Sequence, residues 1–150
     1  AAKRKVAVKN LTMAVTSGEC FGMLGPNGAG KTTTISMLVG FTRPTAGYAM
    51  LNRLDIRTSM RTIYTLMGVC PQHDILWETL TASQHLCFYA RLKNIAPDRL
   101  EGSVRQALRS VNLSSVAHDR VSTFSGGMKR RLSVAISLIG RPVCWSLDEP

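Results

Sequence analysis

Residues Gly25 to Thr32 form a glycine-rich loop of the type that holds phosphate. The loop is composed of Gly25, Pro26, Asn27, Gly28, Ala29, Gly30, Lys31 and Thr32, and Thr33 extends it. Glycine lets the backbone turn its amide N–H groups inward around phosphate oxygens, at the positive end of the following helix. Lys31 supplies a mobile charge to the β- and γ-phosphates, and the Thr32 hydroxyl can ligate magnesium. The loop therefore predicts binding of a nucleoside triphosphate.

A second candidate site lies where the mostly apolar stretch 143–147 ends and two acids follow, Asp148 and Glu149. An acid in this place can hold magnesium directly or through water, and a second can orient and deprotonate an attacking water. Alone, such a pair at a strand end is usually a solvated terminus. Together with the phosphate loop upstream, we interpret it as the second half of one site.

Ser125, Gly126 and Gly127 form a third candidate at the start of a predicted helix. Ser125 can cap the helix, and the two glycines leave the first amide groups unshielded. The ordinary interpretation is a capped helix and nothing more. A second anion-binding helix terminus in a chain that already has one instead indicates contact with nucleotide from two sides.

Gln72 directly follows the apolar residues Val69, Cys70 and Pro71. Its side-chain carbonyl can reach a metal ion or a water molecule at the γ-phosphate. Spacing alone does not rank it above an ordinary loop glutamine, so on the residues themselves both interpretations stay open.

Strands and helices must alternate to position these residues. Apolar runs between turn residues predict strands, two within 6–24 joined by a turn at 16–18, and others at 48–51, 64–70 and 143–147. Apolar periodicity predicts a helix after the phosphate loop, with Ile35, Leu38 and Val39 on one face. Capping boxes predict two more, one at 82–93 after Thr81 and Gln84 and one from Asp98, where Glu101 completes the box. A fourth helix is predicted from Ser125 to a break at Pro142. The stripe Leu100, Val104, Leu108 and Val111 predicts core packing. This order predicts an α/β fold with a parallel sheet.

Composition suits one compact domain of 150 residues, 45% hydrophobic and 19% charged. The formal net charge is +10, but the basic residues are mostly scattered, so the charge alone identifies no partner. Cys20, Cys70 and Cys144 lie in apolar runs, as buried free thiols do in a reducing compartment. We see no signal peptide and no apolar run near the roughly 18 residues of a membrane span, and expect a soluble chain.

The motifs together resemble the nucleotide-binding domain of ABC transporters over essentially the whole chain. The matching elements are the phosphate loop as Walker A, Gln72 as the Q-loop glutamine, Phe124–Met128 as the signature, and Leu147–Pro150 as the end of Walker B. The signature is the most specific element, because other P-loop ATPases lack it. The amino-acid sequences of 70–78 and 125–133 are similar to those of the A subfamily, and in particular to those of its plant members.

The resemblance implies a P-loop NTPase fold of the ABC-ATPase type. That fold has a mainly parallel core sheet, an antiparallel β subdomain and a helical subdomain that carries the signature. It divides this chain into an ATP-binding core, 1–76 and 141–150, and a helical subdomain, 77–140. We expect the fold to be C-terminally incomplete here, with the D-loop and switch histidine outside the sequence. Arg53 stands where the family pattern leads us to expect glycine in a turn.

The resemblance also implies ATP and Mg²⁺ as ligands. Lys31 and the loop amides would hold the phosphates, and Glu149 would polarise the water. Magnesium would be held by Thr32, Gln72 and Asp148. Gln72 would in addition link the metal to the membrane partner.

The implied partners are a second nucleotide-binding domain, whose signature covers ATP in a head-to-tail sandwich, and transmembrane domains facing 78–120. The resemblance implies transport of lipid and a domain on the cytosolic face of a membrane, with no nucleic acid partner. The open alternatives are a soluble ABC ATPase acting on ribosome or nucleic acid, and a degenerate product that only binds nucleotide. We expect this sequence alone to bind ATP weakly and to hydrolyse it negligibly.

Overall fold

The computed structural model describes residues 6–73 and 75–148, and helices and short strands alternate along it. In chain order the elements are α1 (Lys31–Leu38), β1 (Met50–Leu51), β2 (Leu54–Asp55), α2 (Met60–Leu66), β3 (Met67–Cys70), α3 (Ala82–Leu92), α4 (Pro97–Ser110), α5 (Gly126–Leu138) and β4 (Cys144–Leu147). Two single 3₁₀ turns, Ser114–Val116 and Val121–Thr123, connect α4 to α5.

The strands form one antiparallel and one parallel pair. In the hairpin of β1 and β2, Met50 pairs with Asp55 and Leu51 with Leu54. The strands β3 and β4 run parallel, with Met67 opposite Cys144 and Cys70 opposite Leu147. Their pairing continues one residue further, since the Asp148 N–H donates to the Cys70 carbonyl at 3.0 Å. The carboxyl ends of two parallel strands therefore lie side by side.

Two hydrophobic clusters hold the elements together. The larger joins α3, α4 and α5, and its buried members run from Ala82 to Ile139. The predicted stripe on α4 belongs to it, with Val104 and Leu108 buried and Leu100 packed against them. The smaller contains Val39, Ile56, Ile63 and Met67, and so places α1 and α2 against β3.

The helix α5 lies directly on β3, at Gly68. A Cβ at this position would overlap the carbonyl of Ser137, so only glycine admits this approach of helix to strand. The contact puts the signature helix behind the strand that leads to Gln72.

Local signals predicted several elements correctly. The capping box is present at α3, where Thr81 Oγ1 accepts from the Gln84 N–H at 3.2 Å and Gln84 Oε1 accepts from the Thr81 N–H at 2.8 Å. Ser125 caps α5, and β4 covers the predicted last strand. The turn at 16–18 is present as well, closed by the Glu19 N–H to the Thr16 carbonyl.

Three element predictions were wrong. Residues 6–24 contain no strand in the part of the chain that the structure describes, because no described segment pairs with them. Residues 64–66 were predicted as strand but form the end of helix α2, because the helix buries Ile63 completely against the smaller cluster. The helix α4 begins at Pro97 after Ala96, so Asp98 lies in its first turn and does not cap it. Proline suits this first helical position because its fixed φ is helical and no N–H is lost there.

The cysteine prediction holds only in part. Cys70 is buried, Cys144 is half-buried and burial raises the pKa of its thiol, whereas Cys20 is exposed. Cys20 lies in the segment whose predicted strands do not form, which explains its exposure.

Candidate functional site

The phosphate loop leads into α1 through glycines in the left-handed region. Gly28 has φ 83° and Gly30, the N-cap residue, has φ 94°. A Cβ on Gly30 would lie 2.6 Å from the carbonyl oxygen of Ala7, so the loop is also closed against a neighbouring segment. Between the glycines, the Ala29 N–H donates to the Pro26 carbonyl at 3.2 Å and closes a turn. Glycine is thus required here by backbone conformation and by space.

Lys31, the first residue of α1, folds its side chain back over the loop. Its Nζ donates to the carbonyl of Gly25 at 2.6 Å and to that of Pro26 at 3.1 Å. The ammonium group therefore stays at the loop, where it adds to the positive end of the helix dipole. The loop thus provides backbone donors and a lysine charge in one place, which is what a polyphosphate requires.

The three threonines after Lys31 differ in their exposure to solvent. Thr32 is exposed and Thr33 is half-buried, and both lie in the first turn of α1. Thr34 is buried, and its Oγ1 donates to the Gly30 carbonyl at 2.9 Å. Thr34 thereby fixes the loop to the helix, a contact that sequence reasoning did not identify.

Gln72 and Asp148 come together at the carboxyl ends of β3 and β4. Gln72 is exposed two residues beyond Cys70, and Asp148 is half-buried one residue beyond Leu147. In open parallel sheets, ligands bind at this edge. An amide oxygen, a carboxylate and the Thr32 hydroxyl are the hard oxygen ligands that magnesium prefers, so the residues fit this metal. Glu149 lies outside the described residues.

Ser125, Gly126 and Gly127 are all exposed at the start of α5. The Ser125 Oγ accepts from the Met128 N–H at 3.3 Å, while a Cβ at either glycine would find open space among the described residues. Phe124 next to them is buried in the larger cluster and anchors the turn. The hydrogen bonds described for the chain do not connect this terminus with the phosphate loop.

Arg130 is a further residue of the site that the motifs did not single out. Its Nη1 donates to the Pro71 carbonyl at 2.6 Å and its Nη2 to the Asp148 carbonyl at 3.4 Å. In the sequence it is one of three consecutive basic residues, and nothing in their types distinguishes it from the other two. Only the packing of α5 on β3 brings it to the strand ends.

A phosphate loop ahead of a helix, with an acid at the end of a parallel strand, defines a P-loop nucleotide-binding domain. A family model described as ABC transporter matches residues 8–150, and the chain therefore belongs to the ABC transporter family. The family's members are ATPases, which confirms the predicted class of the chain, an ABC-type ATPase domain.

Among curated proteins, the chain is similar to ABC transporter A family members of Arabidopsis thaliana. Member 7 is 58% identical over 148 residues, and member 3 is 59% identical over 148 residues. The match covers 97% of this chain and 16% of either protein, so the chain spans about a sixth of their length. The predicted similarity to plant members of the A subfamily is confirmed.

Two solved structures confirm the predicted fold class. One is cbiO1 from Clostridium perfringens, described as part of the ABC transporter complex cbiONQ, with a TM-score of 0.86 at 26% identity over 96% of this chain and 59% of that one. The other is an ATP binding subunit of an ABC transporter, with a TM-score of 0.74 at 26% identity over 83% of this chain and 52% of that one.

Proposed function

We propose that the chain binds Mg-ATP as the nucleotide-binding part of a larger transporter and hydrolyses it to power transport across a membrane. The observation that carries this proposal is the phosphate loop, with the Lys31 ammonium 2.6 Å from the Gly25 carbonyl at the start of α1. Gln72 and Asp148 follow the paired ends of β3 and β4, which supports a metal site for the same nucleotide.

Each site residue has a distinct task in this proposal. Lys31 and the loop amides bind and orient the phosphates, and the Thr32 hydroxyl, Gln72 and Asp148 hold magnesium. Magnesium, when bound, supplies charge that neutralises the β- and γ-phosphate oxygens. Glu149 orients the attacking water and accepts its proton.

The Ser125–Gly127 terminus is proposed to contact the ATP bound by a second domain. Its exposure at the start of a 13-residue helix supports this, because unshielded amides at such a terminus bind anions. A single chain then offers only one face to each nucleotide, and we expect it to bind ATP weakly and to turn it over negligibly until two domains pair. Turnover by unpaired chains at the rate of an intact ABC domain would contradict this.

The face proposed to contact the transmembrane domains combines exposed apolar residues of the segment after Gln72 and of α3. Trp77 and Phe88 lie edge to face with ring centroids 5.2 Å apart, and they are 43% and 42% exposed. Ile75 and Leu92 are more exposed still. Trp77, Phe88 and Leu92 lie within residues 77–140, the proposed helical subdomain, and Ile75 lies just before it, which supports a membrane-domain partner on the cytosolic side. In the described part of the chain, no helix has the length and apolarity to cross a bilayer.

Lipid is the proposed transported class, supported by the similarity to A-subfamily transporters. The alternative is a soluble ABC ATPase acting on ribosome or nucleic acid, for which the net charge of +10 is the only supporting feature. Binding of the chain to duplex or single-stranded RNA at physiological salt would favour the alternative, and we expect none.

The nucleotide site is tested by titrating Mg-ATP into the chain and its Lys31→Ala variant by calorimetry. Removing a charged donor costs roughly tenfold or more in affinity. Arg99→Ala, which removes the same charge at an exposed position of α4, is the control and should bind ATP as the original chain does. Equal binding by Lys31→Ala would refute the site.

A further inference from the structure

The side chain of Arg130 joins three parts of the proposed site. It starts on α5, five residues after the cap Ser125, and reaches the ends of both parallel strands. The 2.6 Å bond to the Pro71 carbonyl is short, as expected for a charged donor, and the 3.4 Å contact to the Asp148 carbonyl is longer. The guanidinium therefore spans the ends of both parallel strands.

The two acceptors stand next to the residues that matter for the metal. Pro71 directly precedes Gln72, and the second carbonyl belongs to Asp148 itself. The guanidinium is planar and permanently charged, with donors in a fixed fork, so it fixes the separation of two carbonyls in a way that a flexible ammonium group does not.

We propose that Arg130 is a positioning residue that sets Gln72 and Asp148 in the arrangement that holds magnesium, and that it ties this arrangement to the signature helix. Because α5 is one rigid element, a movement of its Ser125 end displaces the guanidinium and both strand ends with it. This inference rests on the proposed binding of Mg-ATP.

Arg131 provides a matched control on the same helix. Its Nη1 donates to the carbonyls of Val111 at 3.0 Å and Asn112 at 3.3 Å, at the end of α4. The two arginines have equal charge and the same kind of bond, but Arg131 contacts the helical cluster and not the strand ends. A general loss of charge or of helix packing would therefore affect both positions.

The test measures the ATP affinity of the chain with Mg²⁺ and in EDTA, for Arg130→Met, Arg130→Lys and Arg131→Met. The ratio of the two affinities is the magnesium increment. We expect Arg130→Met to lower the increment about tenfold while ATP affinity in EDTA stays within about twofold. Arg130→Lys keeps one donor and should lose less, and Arg131→Met should keep the full increment. Binding of Mn²⁺ followed by electron paramagnetic resonance, in the presence of ATP, should weaken in the same order.

The outcomes separate this inference from the proposed function. If Arg130→Met retains the full magnesium increment, the inference is overturned and Mg-ATP binding stands. If the methionine variant does not fold, the same result in Arg130→Lys overturns the inference. An equal loss in Arg130→Met and Arg131→Met also overturns it, because the effect would then be general to α5. If the original chain shows no ATP binding that depends on Lys31, the proposed function fails, and this inference fails with it.

Discussion

Gly30 is the residue at which the phosphate loop tolerates least change. Its φ of 94° is unfavourable for a side chain, and a Cβ would meet the Ala7 carbonyl at 2.6 Å. Replacement by alanine must therefore strain the backbone and move either the loop or the segment at Ala7. We expect Gly30→Ala to lower the free energy of unfolding by about 1–2 kcal/mol and to weaken ATP binding at least roughly tenfold. Urea unfolding and calorimetric titration measure the two effects.

Gly102 is the control for this substitution. It lies in α4, where a Cβ would meet no described atom within 4 Å. Gly102→Ala should raise the free energy of unfolding by about 0.5–1 kcal/mol through helix propensity and leave ATP binding unchanged. If Gly30→Ala behaved like Gly102→Ala, the strain assigned to the loop would be wrong.

The hairpin of β1 and β2 has a turn in which one residue, Arg53, does not suit the backbone conformation. Asn52 and Arg53 have φ values of 49° and 65°, the two positive angles of a type I′ turn. Asparagine tolerates this region, whereas arginine is strained in it. Arg53, where the family pattern leads us to expect glycine, therefore destabilises the turn. We expect Arg53→Gly to raise the free energy of unfolding by about 1 kcal/mol in urea unfolding.

Asn52 supplies the comparison for the turn. Asn52→Gly should change stability less than Arg53→Gly, because asparagine already accepts a positive φ at little cost. A larger gain at Asn52 would mean that the Arg53 side chain makes a favourable contact that offsets the strain. Arg57, two residues after β2, pairs with Asp55 at 2.7 Å, and neither substitution removes a member of this pair.

Elements with local signals were predictable from the sequence, whereas predicted strands formed only where the fold supplies a paired neighbour, as it does for β3 and β4. The helices α3 and α5 begin at caps, Thr81 and Ser125, whose hydrogen bonds lie within three residues. A strand needs a paired neighbour, so the apolar runs within 6–24 did not suffice to form one. Residues 64–66 were predicted as strand, but they belong to helix α2, which buries Ile63.

The candidate site shows the same division. The phosphate loop is contiguous, and its chemistry could be predicted from residue types alone. That Gln72 and Asp148 are neighbours follows from the register of β3 with β4, which the sequence does not state. Arg130 depends on the packing of α5 over Gly68, where Gly68 meets Ser137, 69 positions further along the chain, and no local pattern indicates this contact.

On the scale of the whole molecule, Lys93 connects the two hydrophobic clusters. It caps α3, which belongs to the larger cluster, and its Nζ donates to the carbonyls of Tyr64 at 2.7 Å and Met67 at 2.6 Å, beside the smaller one. We expect Lys93→Met, which keeps the apolar stem, to lower the free energy of unfolding by about 1 kcal/mol near neutral pH. Any movement of the helical elements against the strands must break or stretch these two bonds.

The contribution of Lys93 should also depend on pH. Burial lowers the pKa of its ammonium group, so between that lowered value and the ordinary 10.5 the unfolded chain binds more protons than the folded one. The contribution of Lys93 to the free energy of unfolding therefore rises as pH rises from the lowered pKa towards 10.5. At pH values well below the lowered pKa, this contribution is constant. Urea unfolding at about pH 8 and about pH 10 should show a larger difference between the original chain and Lys93→Met at the higher pH.

Tyr89, whose pKa burial raises, is present in both proteins and cancels in the difference. The exposed Lys9→Met should show no such change, and a difference that shrinks with pH would mean that the two carbonyls, and not burial, dominate the charge state of Lys93.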